Sequence, residues 1–362
     1  MASIHGAIYQ PADKWEEWID GQIQLSVAFE IASVDGNTHF YIRGNYPWKD
    51  AIESSVYSQY PEAEIVEVQD YTKMVPQNIP GKDWDLWGTD YKVLKVDHYP
   101  IKTYTSFETE HEATEEMKVD PVSALLEGLS KMRKGEQFWV QMLCEPMAEK
   151  PLLAWLKKGE ELRDKLARRP VDKKETKPII QEVFEILFFG LKEPEKKEKE
   201  IIPPEMKLTP GERETVAAIE QKMSKPIFKT TIRFIYLSQK KHFLKARGRM
   251  AFGFFNDFMT LDRNGLIPNG DTITKIKKAW FLPINLIRDR RNYLRCRRLF
   301  RNYLKRDSSY FPRAKAGGTF FLNVEEVASL FHFPSEAVAP VTGLARVETK
   351  RKGVPADLPI EQ

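Results

Sequence analysis

Residues 23–43 read IQLSVAFEIASVDGNTHFYIR. Two runs rich in β-branched and aromatic residues, 23–33 and 38–43, flank Val34-Asp35-Gly36-Asn37. Asp-Gly between two such runs is a strong hairpin signal, because a two-residue turn that matches strand twist needs positive φ at both central positions. The chain therefore opens on paired antiparallel strands. A helix is expected next, over Tyr46–Tyr60: Pro47 suits a helix start, Ile52, Val56 and Tyr60 recur at four-residue spacing, and Pro61 ends it. Ala63–Val68 (AEIVEV) alternates as a strand does.

Further out the pattern continues. Leu86–Val96 and Ile101–Phe107 are β-like, Asp120 with Pro121 starts a helix running to Met132, and Phe138–Cys144 (FWVQMLC) is strand-like. The order β-β-α-β, then β-β-α-β, predicts an α+β fold of ferredoxin-like ββαβ units with antiparallel sheets and added helices. Helices are expected over 151–168 and 178–190. The run KEPEKKEKE (192–200) and Pro203-Pro204 read as a charged linker. Thr209-Pro210-Gly211-Glu212 is a capping box opening a helix over 210–224. Strand Phe228–Leu237, helix Phe243–Thr260, a weak stretch over 261–287, a basic helix over Leu286–Lys305 and a short strand entering a helix at Asn323 follow. This divides the chain into an acidic α+β domain (1–150), a helical segment with charged linker (151–205), a basic α+β domain (206–335) and an irregular C-terminal tether (336–362).

Composition narrows the function. Phosphate-loop, dinucleotide-fingerprint, nucleophile-elbow and zinc-protease spacings are absent from the sequence. Two cysteines, Cys144 and Cys296, give neither a disulfide framework nor a metal-site spacing, and read as packing residues. The six histidines hold no i,i+4 pair. No catalytic residue, metal or cofactor is therefore expected, although a site assembled in space, near His98 or His332, stays open as an alternative. The N-terminus has no signal-peptide pattern, and the most apolar run, Ile179–Leu191, falls short of the ~20 residues a bilayer requires. A cytoplasmic location is expected, or a peripheral one at the inner face of the membrane.

Charge is strongly segregated. Residues 1–224 hold 29 Lys and Arg against 41 Asp and Glu, whereas residues 225–306 hold 21 against 4. Lys275–Arg306 alone carries twelve basic residues and one acidic one, Asp289. The candidate anion-binding set is Arg288, Arg290, Arg291, Arg295, Arg297, Arg298, Arg301, Lys305 and Arg306. In helical phase Leu286, Tyr293 and Leu294, with Phe300 or Leu304, are expected inward. Arg288, Arg291, Arg295, Arg298, Arg301 and Lys305 then form an outward rail. Guanidinium pairs with phosphate in bidentate fashion and stays charged. Such a rail suits nucleic-acid backbone bound without sequence readout, an anionic lipid surface, or an acidic protein surface.

Several ordered segments carry a family resemblance: Gln59-Tyr60-Pro61-Glu62-Ala63-Glu64-Ile65-Val66-Glu67-Val68-Gln69-Asp70-Tyr71, Trp84-Asp85-Leu86-Trp87-Gly88, Tyr99-Pro100-Ile101-Lys102-Thr103-Tyr104, Ile232-Arg233-Phe234-Ile235-Tyr236-Leu237 and Leu330-Phe331-His332-Phe333-Pro334. Together they resemble the N-terminal region, itself of unknown function, of conjugative-transfer proteins from Patescibacteria-like bacteria. In those proteins it precedes a HerA-like, DNA-translocating ATPase domain of type IV secretion. The sequence ends at Ile360-Glu361-Gln362, about where that core is expected to begin, so no catalytic residue carries over. The resemblance implies a non-catalytic accessory module. Its partners would be DNA, subunits of the ATPase or of the membrane complex, or the membrane face, and it would be oligomeric only with an ATPase partner. A standalone nucleic-acid-binding protein is the alternative reading.

Overall fold

The computed structural model describes residues 1–10, 24–109, 120–169, 208–275, 287–307 and 318–334. In chain order the elements are α1 (Ala2–Ile8), β1 (Val27–Val34), β2 (Asn37–Arg43), α2 (Lys49–Tyr57), β3 (Trp84–Val93), α3 (Tyr104–Thr109), α4 (Pro121–Ser130), β4 (Glu136–Pro146) and α5 (Glu149–Leu166). There follow α6 (Pro210–Met223), β5 (Ile227–Gln239), α7 (Arg249–Asn256), β6 (Leu266–Pro268), α8 (Arg288–Lys305), β7 (Phe320–Asn323) and α9 (Val324–Leu330). The expected helix 178–190, the charged run 192–200 and the tether 336–362 lie outside the described residues.

The strands form one antiparallel sheet in the order β2-β1-β4-β5-β3-β6, with β7 also paired to β5. This is an α+β fold. β5 is its centre: β4 runs along one edge, while β7 and β3 share the other, over Ile227–Thr230 and Arg233–Gln239. Strands from 1–150 and from 206–335 thus lie in a single sheet, and β5 is hydrogen-bonded on both sides to strands from the acidic segment. The segments differ in charge because charge sits on the surface, whereas strand pairing is decided by the apolar interior.

Local chemistry explains the edges of the elements. Asp35 and Gly36 have φ of 55° and 90°, as the hairpin turn requires. Asp120 accepts the Val122 N–H, and the Thr209–Glu212 and Asn323–Glu326 capping boxes are both closed. Two expected strands are not strands. Residues 63–68 form no regular element and have no ladder partner among the described residues, and Val66 and Val68 are exposed. Residues 101–107 enter α3 instead, because Glu326 accepts the Ile101 N–H and Glu325 accepts the Thr103 hydroxyl. The helix expected over 243–260 shortens to α7, preceded by two 3-10 turns.

The two faces of the sheet are covered differently. On the first, Phe29, Ile31, Phe138, Val140, Ile232 and Phe234 pack against α1, α4, α7 and α9. On the second, Trp139, Ile235 and Leu237 pack beneath α8 and the Tyr71–Ile79 stretch. Gly88 of β3 lets α8 approach. A Cβ there would lie 2.3 Å from the Phe234 carbonyl oxygen and 3.1 Å from a methyl of Leu299.

Candidate functional site

α8 buries Cys296, Leu299, Phe300 and Tyr303, an i, i+3, i+4, i+7 stripe, against the sheet. This corrects the expected phase: Tyr293 and Leu294 are exposed, and the four-residue stripe outweighs them because it is longer and includes two aromatic rings. Arg290, Arg291, Arg298, Arg301 and Lys305 are exposed and Arg297 is half-buried. Among the described residues, no carboxylate lies within ion-pair distance of these six.

The other three candidates are engaged within the fold. Arg288 pairs with Asp289 at 3.1 Å. Arg295 donates to the carbonyls of Gly270 at 3.2 Å and Ile273 at 3.1 Å, clamping the loop after β6. Arg306, at φ 56°, is partly buried, with its side chain 6% exposed, and bridges Glu30 and Asp70, at 3.0 and 2.7 Å. It therefore does not join the outward cations. Its place in the basic run hides this, because the left-handed turn after Lys305 carries its side chain back under the helix.

The outward cations oppose one another. Arg291–Arg295, Arg297–Arg301 and Arg301–Lys305 are like-charged i,i+4 pairs, which destabilise a helix. The N-terminal turn, where the helix dipole disfavours cations, holds Arg288, Arg290 and Arg291, with Asp289 the one acid, and Ile287 provides no side-chain cap. α8 therefore owes its place to the apolar stripe beneath it. Among the described residues no carboxylate offsets that repulsion on its outer face.

Beneath α8 lies a polar row that sequence reading did not pick out. Glu30, Gln141, Arg233 and Asp90 occupy one register level on four adjacent strands, and all are buried. Gln141 donates to Glu30 at 2.7 Å, and Arg233 pairs with Asp90 at 3.0 Å. The Tyr71 hydroxyl donates to Glu30 at 2.8 Å and meets the Tyr303 hydroxyl at 2.7 Å. Arg306 closes the group. Burial works to raise the Asp70 carboxyl, but hydrogen bonds from Arg306 and Thr72 hold it down at about 2. Burial raises the Asp90 carboxyl against the pull of Arg233. For Glu30 and Arg233 the sequence carries the signal, a lone charged side chain within an apolar run, whereas Asp90 and Gln141 share their strands with other polar residues.

A second buried group joins α6, α9 and the segment after β3. Lys222 and Glu326 pair at 3.1 Å with no side-chain exposure, and Lys222 also donates to the Phe321 carbonyl at 2.8 Å. Lys225 pairs with Glu325. Burial pushes the nearby Asp97 carboxyl up to about 6. His98 stacks on Trp155 at 4.4 Å, and its Nε2 lies 2.9 Å from the Trp155 carbonyl oxygen. His332 Nε2 is 3.0 Å from Asp120. Both histidines thus have structural partners. The depression between α5 and α6, about 310 Å³ and lined by Leu156, Glu160, Arg163, Glu220, Met223 and Ser224, contains neither. Among the described residues no cluster of His, Cys, Asp or Glu has the arrangement of a metal site, and no helix is long and apolar enough to cross a membrane.

An α+β chain with one antiparallel sheet and an arginine-faced helix is what the fold defines. The chain belongs to the family described as domain of unknown function DUF8128, which matches residues 8–342. No curated protein and no solved structure matches it.

Proposed function

We propose that this chain is a non-catalytic interaction module that holds DNA by its phosphate backbone through the outer face of α8, within a type IV secretion-type DNA-translocation assembly. One observation carries the DNA reading: six outward cations on a helix whose opposite face is fixed to the sheet, with no counter-charge among the described residues. A rigid row of this kind binds phosphates with its geometry already set. The translocation setting is supported by the resemblance of the ordered segments from Gln59 to Pro334. In that setting the chain lies on the cytoplasmic side, near the inner membrane face, and meets ATPase or membrane-complex subunits.

The test is fluorescence anisotropy of labelled single- and double-stranded DNA over a range of salt, comparing wild type with R290E/R291E/R297E/R298E. If the six cations neutralise six phosphates, the slope of log K against log salt is about −5, and the variant loses most binding. A wild type that binds no DNA at low salt, but binds anionic vesicles, transfers the face to lipid and overturns the reading. Tight binding that no ATPase partner alters favours a standalone nucleic-acid-binding protein.

A further inference from the structure

One buried carboxylate ties together the loops at the end of the sheet where β3 and β4 begin and β5 finishes. Glu136, 1% exposed, accepts the Arg133 N–H and the Tyr236 hydroxyl, both at 2.8 Å, and pairs with Arg247 Nε at 3.0 Å. The Lys240 N–H donates to the Asp83 carbonyl at 2.8 Å, and the Gln239 N–H to the Gly135 carbonyl at 3.2 Å. Strand register agrees, since Trp84 is the partner of Gln239 and Glu136 that of Ser238. The segments around Lys82, Lys134 and Lys240 therefore meet on one rim that is fixed from beneath.

Lys82, Arg133, Lys134, Lys240, Lys241 and Lys245 are exposed on that rim, and among the described residues none of them has an ion pair. Three exposed acids lie on or beside the same loops, and two are engaged. Glu127 pairs with Lys131 at 2.8 Å, and Asp35 accepts the Gly135 N–H at 2.7 Å. Asp83 is the third. The rim is thus strongly cationic.

An apolar side chain stands among these cations. Phe243 and Leu244 are consecutive and both extended, with φ −67° and ψ 109°, then φ −123° and ψ 99°. Neighbouring side chains on extended backbone point to opposite sides. Phe243 turns inward and stacks on Tyr236 at 5.4 Å, and the Leu244 N–H donates to the Tyr236 hydroxyl at 3.3 Å. With its backbone held in this way, Leu244 is left 54% exposed between Lys241 and Lys245. A leucine presented on a basic rim gains nothing from a phosphodiester strand. It gains from the acyl boundary that lies just under anionic headgroups. Five of the six cations are lysine, a point charge without the fixed fork of arginine, and headgroups that move laterally satisfy it with no set spacing.

We propose that this rim is a membrane-docking edge, its six cations resting on anionic lipid headgroups while Leu244 enters the interface between them. None of these residues belongs to α8, so docking here stands whether or not α8 holds DNA.

Co-sedimentation with vesicles tests it, using phosphatidylcholine alone and phosphatidylcholine with roughly one-quarter phosphatidylserine, over a salt series. Wild type, K240Q/K241Q/K245Q, Leu244→Ser and the α8 quadruple variant are compared, with far-UV circular dichroism and thermal unfolding to check that each is folded. Wild type is expected to bind the phosphatidylserine vesicles, more weakly as salt rises, and to leave phosphatidylcholine unbound. The lysine variant is expected to lose roughly 100-fold in partitioning, and Leu244→Ser about 5- to 10-fold. The α8 variant is expected to bind vesicles as wild type does. No wild-type binding to phosphatidylserine vesicles overturns the proposal, as does a folded lysine variant that binds them undiminished. Loss in the α8 variant with the lysine variant intact overturns it too, because the lipid surface would then be α8. A loss in the lysine variant with none in Leu244→Ser overturns the inserted tip and turns the rim toward an acidic protein. Vesicle binding that depends on the rim, in a chain that binds no DNA, brings down the α8 reading and leaves this one standing.

Discussion

Arg306 occupies the left-handed region at φ 56°, a conformation that disfavours side chains other than Gly, Asn or Asp. What holds it there is the pair of carboxylates it bridges: its Nε and Nη2 reach Glu30 at 3.0 and 3.1 Å, and its Nη1 reaches Asp70 at 2.7 Å. Removing one partner from a buried ion pair strands the others without solvent. Arg306→Met is therefore expected to lower stability by about 3–5 kcal/mol, read as a fall in denaturant midpoint. A variant that weakens DNA binding but keeps its midpoint would instead return Arg306 to the surface. Asp97 makes an opposite prediction. Its folded-state carboxyl is raised to about 6, chiefly by burial, with Glu326 adding to the rise and Lys222 opposing it. A carboxyl raised on folding adds stability at low pH, where both states are protonated at this site, and that contribution is lost as pH climbs from ~4 through ~6. Asp97→Asn is expected to match wild type near pH 4 and to exceed it by ~1–2 kcal/mol above pH 7, less than full linkage because the carboxyl is partly open to water. Unfolding midpoints measured across that range decide it, and parallel pH profiles would sink the assignment.

At the scale of the element, α8 separates two roles that its sequence runs together. Leu299 and Phe300 fix it to the sheet, each worth ~1.5–3 kcal/mol of burial. Arg295 ties it to the loop after β6. Among the described residues, Arg290, Arg291, Arg297 and Arg298 make no ion pair with a carboxylate. Reversing those four charges is expected to leave the unfolding midpoint within about 0.5 kcal/mol of wild type, and slightly raised if relief of like-charge repulsion dominates. A large loss of stability would show that the row has a carboxylate partner within the protein, and would weaken the case for an external ligand. The capping boxes at Thr209 and Asn323 work at the same scale. Each satisfies helix donors locally, which is why both helix starts are legible in the sequence.

For the whole molecule, β5 decides cooperativity. It lies between β4 on one side and β3 and β7 on the other, so the seven-stranded sheet needs strands from both halves of the chain. The polar row from Glu30 to Asp90 crosses the same junction and fails if either half leaves. Urea unfolding followed by far-UV circular dichroism and by tryptophan fluorescence is expected to give one coincident transition. Two resolved transitions would mean that the acidic and basic segments fold as separate units. Charge also takes on meaning at this scale. The first 224 residues are net acidic, yet among the described residues no acid of that segment pairs with the six outward cations of α8.

The sequence by itself determined what depends on neighbours along the chain. The Asp35-Gly36 hairpin, the Asp120, Thr209 and Asn323 helix starts, the β4 and β5 strands and the existence of a basic helix all follow from residues a few positions apart. Tertiary structure decided the rest. It joined two differently charged segments in one sheet, because a central strand is chosen by the interior it fills. It left 63–68 without a ladder, because alternation along the chain does not by itself supply a partner strand. It rotated α8 so that Cys296, Leu299, Phe300 and Tyr303 face inward, since burial of that stripe outweighs any other phase. It drew Arg306 out of the cationic set and aligned four polar residues from four strands into a buried row. It also gathered lysines from 82 to 245 on one rim. Register and packing act between residues tens to hundreds of positions apart, and no local pattern encodes such distances.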